Sequence, residues 1–405
     1  MGIDDPLLPA AAHLSGPHAG DVIRPAVEHA GGSLGRYRCS RLHYRPGRHL
    51  IAQFRAAVDW GDGRPRRETI IAATTSKGPP PGTVVVTAEM PGTDLTVGVW
   101  RWPFDPSLPA LEGAVTGAPN LLAEAGVVRA EAPADVEVVT YRPTDRAVLR
   151  ITTPETTWYL KVVRPTVAAR VVRRHRLLSE WGLPVPEVLA ADLQHGWMLV
   201  SELAGPTLRT LIKSDADRWV EPATLYELIG RIASIDGDAP RAFRSRLADG
   251  AHHASLLASV LPAERERLAR LSDALLSATS RAEQRPRGFI HGDLHEGQLI
   301  VGNGRVSGLL DIDEAGFGDP VDDIAVPAAH LRHRALTAPN GARIDAFVDG
   351  LTELAHHDHA PDDIAAATAA VLAGLATAPF RAQSDGWQDR VGSVLDLADR
   401  HVRLA

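Results

Sequence analysis

Residues 288 to 313 read GFIHGDLHEGQLIVGNGRVSGLLDID, and the architecture follows from this stretch. A short apolar segment runs into a polar loop at His291, apolar alternation resumes at Leu299, Gly302-Asn303-Gly304 marks a tight turn, and a second strand ends at Asp311. A hairpin of this form returns Asp311 to the loop that holds Asp293 and Gln298. Three side-chain oxygen donors then converge at one end of two short strands.

Taken one at a time, these residues are ordinary hairpin carboxylates and caps. Taken in order, they suit phosphoryl transfer, which asks a protein for in-line positioning, a base beside the attacking hydroxyl and Mg2+ across the phosphates. Asp293 suits the base. Mg2+ prefers hard oxygen ligands, and an amide carbonyl serves as a carboxylate does in all but charge. Gln298 and Asp311 are therefore the expected metal ligands, with Asp313 in reach of a second ion. Lys161, in the apolar run WYLKVV, is one of only three lysines among 43 basic residues. A lysine in such a strand either meets an anionic phosphate or lies on a sheet edge with its amine in solvent. The strand ending at Ser201, Glu202 and Leu203 offers backbone to an adenine edge.

Outward from these motifs the chain divides by pattern. Residues 36 to 99 alternate apolar and polar positions between Gly and Pro turns, as an antiparallel sheet does. Residues 1 to 30 read as a loose lead with one helix, and WRWPFDPSLPALEGAV as a connector. A second β-rich stretch, DVEVVTYRPTDRAVLRITTPETTWYLKVV, echoes the first: HYRPGRHLIAQFRA and TYRPTDRAVLRITT share Tyr-Arg-Pro. One short match reads as two similar hairpin turns rather than a repeat. Helical periodicity follows at 166–181, 222–235, 254–282, 342–355 and 388–402.

The expected domains are 1–110, a β-rich cap; 111–204, a β-rich nucleotide-binding lobe; and 205–405, a helical lobe with the catalytic loop and acceptor site. A chain of 405 residues with 44% hydrophobic and 23% charged residues is an ordered globular protein. Its net charge of -7 provides no footprint for nucleic acid or anionic membrane. The apolar run 364–380 is Ala- and Thr-rich and reads as a buried helix. Cys39 stands alone as a packed thiol, and with no export signal the expected location is the cytoplasm.

The Lys161 strand, Ser201-Glu202-Leu203, His291-Gly292-Asp293, and the Asp311 motif with GDPVDDIA after it resemble the aminoglycoside phosphotransferase and choline kinase branch of the protein-kinase-like enzymes. The resemblance covers roughly residues 130 to 405. HGDLHEGQ is most similar to the maltokinases, and the preceding module with VWRWPFDPSLPAL resembles the related actinobacterial glucosamine kinases. The resemblance implies an α+β, protein-kinase-like bilobal fold, ATP as co-substrate with Mg2+, and Asp323 bracing the catalytic loop. Two departures stand out. No glycine-rich phosphate loop is present, YRPTDRAV standing in its place, and the helix after Lys161 is basic, with Glu180 as its one acid.

The acceptor expected from the resemblance is a small sugar, with glucosamine giving glucosamine 6-phosphate. Maltose, an aminoglycoside or choline are alternative acceptors, and an inactive nucleotide-binding scaffold is the non-enzymatic alternative. Asp293, His295, Asp322, Asp385 and Trp387 are the expected acceptor-binding residues. Asp322 reads as freer than Asp323, and FRAQSDGWQDR offers an aromatic face beside polar groups.

Overall fold

The computed structural model describes residue 5 and residues 7–90, 93–124, 126, 134–236 and 245–403. It is α+β, with a β-rich first unit, 1–172, 188–202 and 379–387, and a helical second unit, 173–187, 203–378 and 388–405.

The first unit opens with helices α1 (Leu7–Ser15) and α2 (Gly20–His29). These are not a loose lead: Leu14, Val22 and Ile23 are fully buried, because their apolar residues recur at helical spacing. Strands β1 (Ser33–Arg45), β2 (His49–Asp59), β3 (Arg66–Thr75), β4 (Val84–Met90) and β5 (Thr93–Arg101) form an antiparallel sheet in the order β1-β2-β3-β5-β4. Helices α3 (Leu111–Thr116) and α4 (Ala118–Glu124) precede a second antiparallel sheet of β6 (Asp135–Arg142), β7 (Arg146–Thr152), β8 (Thr157–Val163), β9 (Val188–Asp192) and β10 (Trp197–Ser201), in the order β6-β7-β8-β10-β9. Helix α5 (Pro165–Glu180) lies between β8 and β9 in the chain.

The expected connector is instead part of the core. Leu108, Leu111, Ala114 and Leu122 join Ile51, Ile71 and Trp100 of the first sheet and Tyr141, Leu149 and Leu160 of the second in one apolar cluster. A segment that buries such side chains on both sides contributes to stability in proportion to that area.

The two sheets are also two copies of one plan, which the Tyr-Arg-Pro echo only hinted at. Both have the same strand order, and Tyr44-Arg45-Pro46 and Tyr141-Arg142-Pro143 occupy the same first hairpin turn. In the first copy Asp5 accepts the Tyr44 hydroxyl at 2.6 Å and the Gly47 N–H at 2.8 Å. In the second, Asp105 accepts the Tyr141 hydroxyl at 2.7 Å and the Thr144 N–H at 2.9 Å. Each Asp begins an Asp-Pro-x-Leu-Pro-Ala sequence, and each caps the backbone two residues on, at Leu7 (3.0 Å) and Ser107 (2.8 Å). An Asp about one hundred residues apart, holding a tyrosine and a turn in both places, is a repeat rather than a coincidence of turns.

In the second unit, helices α6 (Leu208–Lys213), α7 (Pro222–Ala233), α8 (Arg246–Val260), α9 (Arg265–Ala282), α10 (Val321–Ala335), α11 (Gly341–Ala355) and α12 (Pro361–Leu375) surround two short ribbons. Helices α13 (Ala378–Arg381) and α14 (Trp387–Val402) follow. The single helix expected over 254–282 is two, divided at Leu261-Pro262, where proline cannot continue the helical ladder. The stretch Pro361–Arg381 is long and apolar enough to span a bilayer by length and composition, but 67% of its window is buried inside the protein. Ile364 and Ala367 there belong to the same core as Phe289, Leu299 and Leu309.

Candidate active site

The ribbons that carry the site are β11 (Gly288–Ile290) with β14 (Gly316–Gly318), and β12 (Leu299–Gly302) with β13 (Arg305–Leu309), both antiparallel. Asn303 and Gly304 close the second ribbon at φ 52° and 72°, the paired left-handed conformations of a two-residue hairpin turn.

Backbone bonds at the open end of that ribbon bring the expected residues together. Leu310 donates its N–H to the Gln298 carbonyl at 2.9 Å. The Leu310 carbonyl lies 2.9 Å from His291 Nε2. His291 Nδ1 accepts the Asp293 N–H at 3.3 Å, so the Nε2 proton is the one given to Leu310. Asp311, next along, sits at φ 51° and ψ 51°, a left-handed conformation that Asp tolerates better than most residues. Gly292, at φ 84°, lies so close to the Asp311 segment that a Cβ there would stand 3.0 Å from the Glu314 carbonyl oxygen.

The loop is braced from three sides. Asp323, 1% exposed at the start of α10, accepts the N–H groups of His291 (2.7 Å) and Gly292 (2.9 Å). Burial raises its carboxyl above the usual range, and His291 and these two bonds oppose that. Glu296, also 1% exposed, takes Arg209 Nε of α6 at 3.1 Å and Arg334 Nη2 of α10 at 2.6 Å. Burial alone would raise its carboxyl, but Arg209, His330 and Arg334 outweigh it and hold the group at about 2. Arg174, on the basic helix α5, donates to the Asp313 carbonyl. That bond gives the basic helix a use that sequence alone did not disclose.

His295, expected to bind the acceptor, makes its contacts within the protein. Its side chain is 13% exposed and stacks on His330 with ring centroids 4.6 Å apart. Nδ1 accepts the Gly297 N–H at 2.9 Å and meets Arg209 Nη2 at 3.2 Å. Both are obligate donors, so the neutral ring carries its proton on Nε2. Nε2 lies 3.1 Å from the side-chain amide nitrogen position of Gln298. The amide, turned about its terminal bond, presents Oε1 to that proton. His295 therefore orients Gln298. His295, Glu296 and His330 are close enough to hold a cation, but Gly297 fills His295 Nδ1 and two guanidinium groups already neutralise Glu296.

Around Asp293 the charges are lopsided. Arg246 of α8 lies 3.9 Å from Asp293 Oδ1 and 3.2 Å from Glu314 Oε2. Burial alone would lower its pKa, but Glu314, Asp293, Asp322 and Asp249 raise it. Two carboxylates thus lie within 4 Å of one guanidinium. Asp322, read as the freer of its pair, is 5% exposed. Burial, then Asp319, pushes its carboxyl up to about 8 against the pull of Arg246.

In the first unit, Lys161 is on β8, the central strand of its sheet, between Val148 and Met198, and is 7% exposed. That excludes an edge-strand lysine with its amine in solvent. Ser201 ends β10 and Glu202 follows it, exposed. Leu203 falls in the second unit, where its side chain covers Gly308. Glu180 is exposed at the end of α5. Asp385 and Trp387 belong with the first unit, where Trp387 packs edge-on against Phe380 at 5.1 Å. Nearby, burial and then Arg45, Arg142 and Arg41 press Arg381 down to about 10. This cationic group beside the β6–β7 turn was invisible in sequence, because its members are scattered over 340 positions.

The donor set at the ribbon end, one carboxylate and one oriented amide carbonyl, is the hard-oxygen chemistry that Mg2+ takes. The sequence profile of the phosphotransferase enzyme family matches residues 143–357. Among solved structures, the chain is similar to aminoglycoside phosphotransferase APH(4)-Ia, at 16% identity over 71% of this chain and 98% of that one, with a TM-score of 0.47. It is similar to APH(3'')-Id from Streptomyces rimosus at 18% identity over 70% and 96%, TM-score 0.43. For ADP-bound APH(2'')-Ib the values are 15%, 70%, 98% and 0.46. No curated protein matches the chain.

Proposed function

This chain belongs to the phosphotransferase enzyme family, and we propose that it transfers the γ-phosphoryl group of ATP, with Mg2+, to a hydroxyl of a small amino sugar, glucosamine giving glucosamine 6-phosphate. The observation that carries the reading is the pair of bonds from Leu310 to Gln298 and His291, which fixes Asp311 beside the loop of Asp293. In this reading residues 1–110 are a cap, 111–204 the nucleotide-binding lobe and 205–405 the catalytic lobe.

Gln298 and Asp311 would hold Mg2+, which when bound neutralises charge on the phosphates. Asp293 accepts the proton of the acceptor hydroxyl, within a loop whose backbone Asp323 and Glu296 hold still. His295 keeps the Gln298 carbonyl aimed, and Lys161 contributes a cation to the nucleotide phosphates. Ser201, Glu202 and Leu203 border the adenine.

Two carboxylates, Glu314 and Asp293, beside the one guanidinium of Arg246 support an amino sugar, since an ammonium taken out of water is costly without a charged partner. Glu314, whose side chain is 53% exposed, is better placed to read an ammonium than buried Asp322. Asp385 and Trp387 are kept as acceptor residues to be tested. The experiment is the glucosamine-to-glucose ratio of kcat/KM in Glu314→Gln, Asp322→Asn, Asp385→Asn and Trp387→Ala. Loss of the charge that reads the amine lowers the ratio about 10- to 100-fold, the scale of one charge-assisted hydrogen bond. An unchanged ratio in all four variants would remove the amino-sugar assignment.

A further inference from the structure

The first sheet has two faces. One packs on α1 and α2. The other bears an arginine row that phosphoryl transfer does not use. Arg38 on β1 and Arg55 on β2 are directly opposed partners, and Thr69 on β3 is the next partner of Arg55. Together with Arg36, Arg67 and Ala57 they line an open groove of about 570 Å3, in which all four arginines are exposed. Among the described residues, no ion pair engages Arg36, Arg38, Arg55 or Arg67. Glu68, the acid at the groove, is already held by Trp60 Nε1 at 3.0 Å and lies 3.6 Å from Arg101.

Like charges directly opposite on adjacent strands destabilise a sheet. The second copy of the plan shows the ordinary arrangement at the same positions. The pair corresponding to Arg38 and Arg55 is Asp135 and Thr152, and the next pair inward, Glu137 and Arg150, is an ion pair at 2.6 Å. In the first copy that inward pair is Arg41 and Gln53. Bulges in the β1–β2 register flank Arg38 on both sides, between Leu34 and Tyr37 and between Cys39 and Arg41. Bulges re-aim side chains. The row also runs against the chain's net charge of -7.

We propose that this groove binds a phosphate-bearing small molecule, with Arg38 and Arg55 gripping the phosphoryl oxygens, Thr69 at the floor, and Arg36 and Arg67 at the sides. Guanidinium groups match phosphate in shape and donor number. The groove is wide enough for a small phosphate ester, and the small side chain of Ala57 leaves room between the arginines. A long nucleic acid would meet a net negative protein beyond the groove.

Isothermal titration of the full chain with inorganic phosphate, pyrophosphate and glucose 6-phosphate tests the site and tells free phosphate from a sugar ester. The expected result is saturable binding of at least one probe, weakened tenfold or more in the double variant Arg38→Gln, Arg55→Gln. Any phosphate binding at the catalytic loop is untouched by these substitutions and cancels in the comparison. Without ligand, the double variant should melt at the same or a higher temperature, because a like-charge pair has gone. Equal binding of every probe by both proteins overturns the proposal, as does a lower melting temperature of the ligand-free variant. Binding of a single-stranded RNA oligomer with no response to the three probes also overturns it.

Discussion

Replacing Asp323 by Asn strikes the loop proposed to be catalytic without touching Asp293 itself. The carboxylate takes one N–H on each oxygen, His291 at 2.7 Å and Gly292 at 2.9 Å. Asn keeps one acceptor and turns an NH2 group towards the other N–H. One charge-assisted hydrogen bond is lost, worth about 1.5–3 kcal/mol, and a buried donor is left facing a donor. Against this, burial raises the Asp323 carboxyl, so a neutral side chain recovers part of the desolvation cost. The net loss should be about 1–3 kcal/mol of stability. Its effect on turnover is larger than stability alone implies. His291 both hangs on Asp323 and holds the Leu310 carbonyl, so slackening one end lets Asp293 and Asp311 drift apart. A misplacement of about 1 Å costs on the order of 10²-fold in rate. Urea unfolding gives the stability change, and kcat is measured under conditions where the variant is folded. A variant less stable by this amount but turning over at the wild-type rate would refute the argument that Asp323 positions the loop.

Asp322→Asn should change the pH dependence of stability. The folded chain holds a proton on Asp322 up to about 8, whereas the unfolded chain releases it near 3.8, the ordinary value for an aspartate. Stability contributed by this group therefore falls as pH rises from about 4 to about 8, and urea midpoints across that range should be flatter in the Asn variant. Gln298→Asn should raise the Mg2+ concentration needed for activity less than Gln298→Ala does. His295→Ala should raise it too, since the carbonyl is then unaimed; equal Mg2+ dependence in all three and wild type would exclude Gln298 as a ligand. Lys161→Met, a similar volume without charge, should keep the fold and lower kcat/KM for ATP by about 10-fold or more, and an unchanged value would remove Lys161 from phosphate binding.

The ribbon of β12 and β13 was legible because apolar alternation, an Asn-Gly turn and polar loop residues lie within one short stretch. The strands of the first sheet were legible for the same reason. Boundaries failed where tertiary packing gave a segment its role: Leu108, Leu111 and Ala114 fill a core, although the prolines among them read as a connector. The Tyr-Arg-Pro echo read as two similar turns because the contact that makes it a repeat joins Asp5 to Tyr44 and Asp105 to Tyr141, residues distant in sequence. At the site, the return of Asp311 to the loop of Asp293 and Gln298 followed from order and spacing, but the contacts of His295, Arg174 and Arg246 did not. A histidine in such a loop reads as substrate-facing, and sequence gives no sign that its two nitrogens meet Gly297, Arg209 and Gln298. Arg246 and Asp293 are 47 positions apart, and only the fold of α8 brings them within 3.9 Å.

The most direct test measures ADP formation by the full chain with ATP and Mg2+ against glucosamine, glucose, maltose, choline and kanamycin, in wild type and in Asp293→Asn. The account predicts acceptor-dependent turnover that is highest with glucosamine and falls by ~10²-fold or more in a folded Asp293→Asn variant that still binds ATP. No acceptor-dependent turnover, or turnover that Asp293→Asn leaves intact, would contradict it.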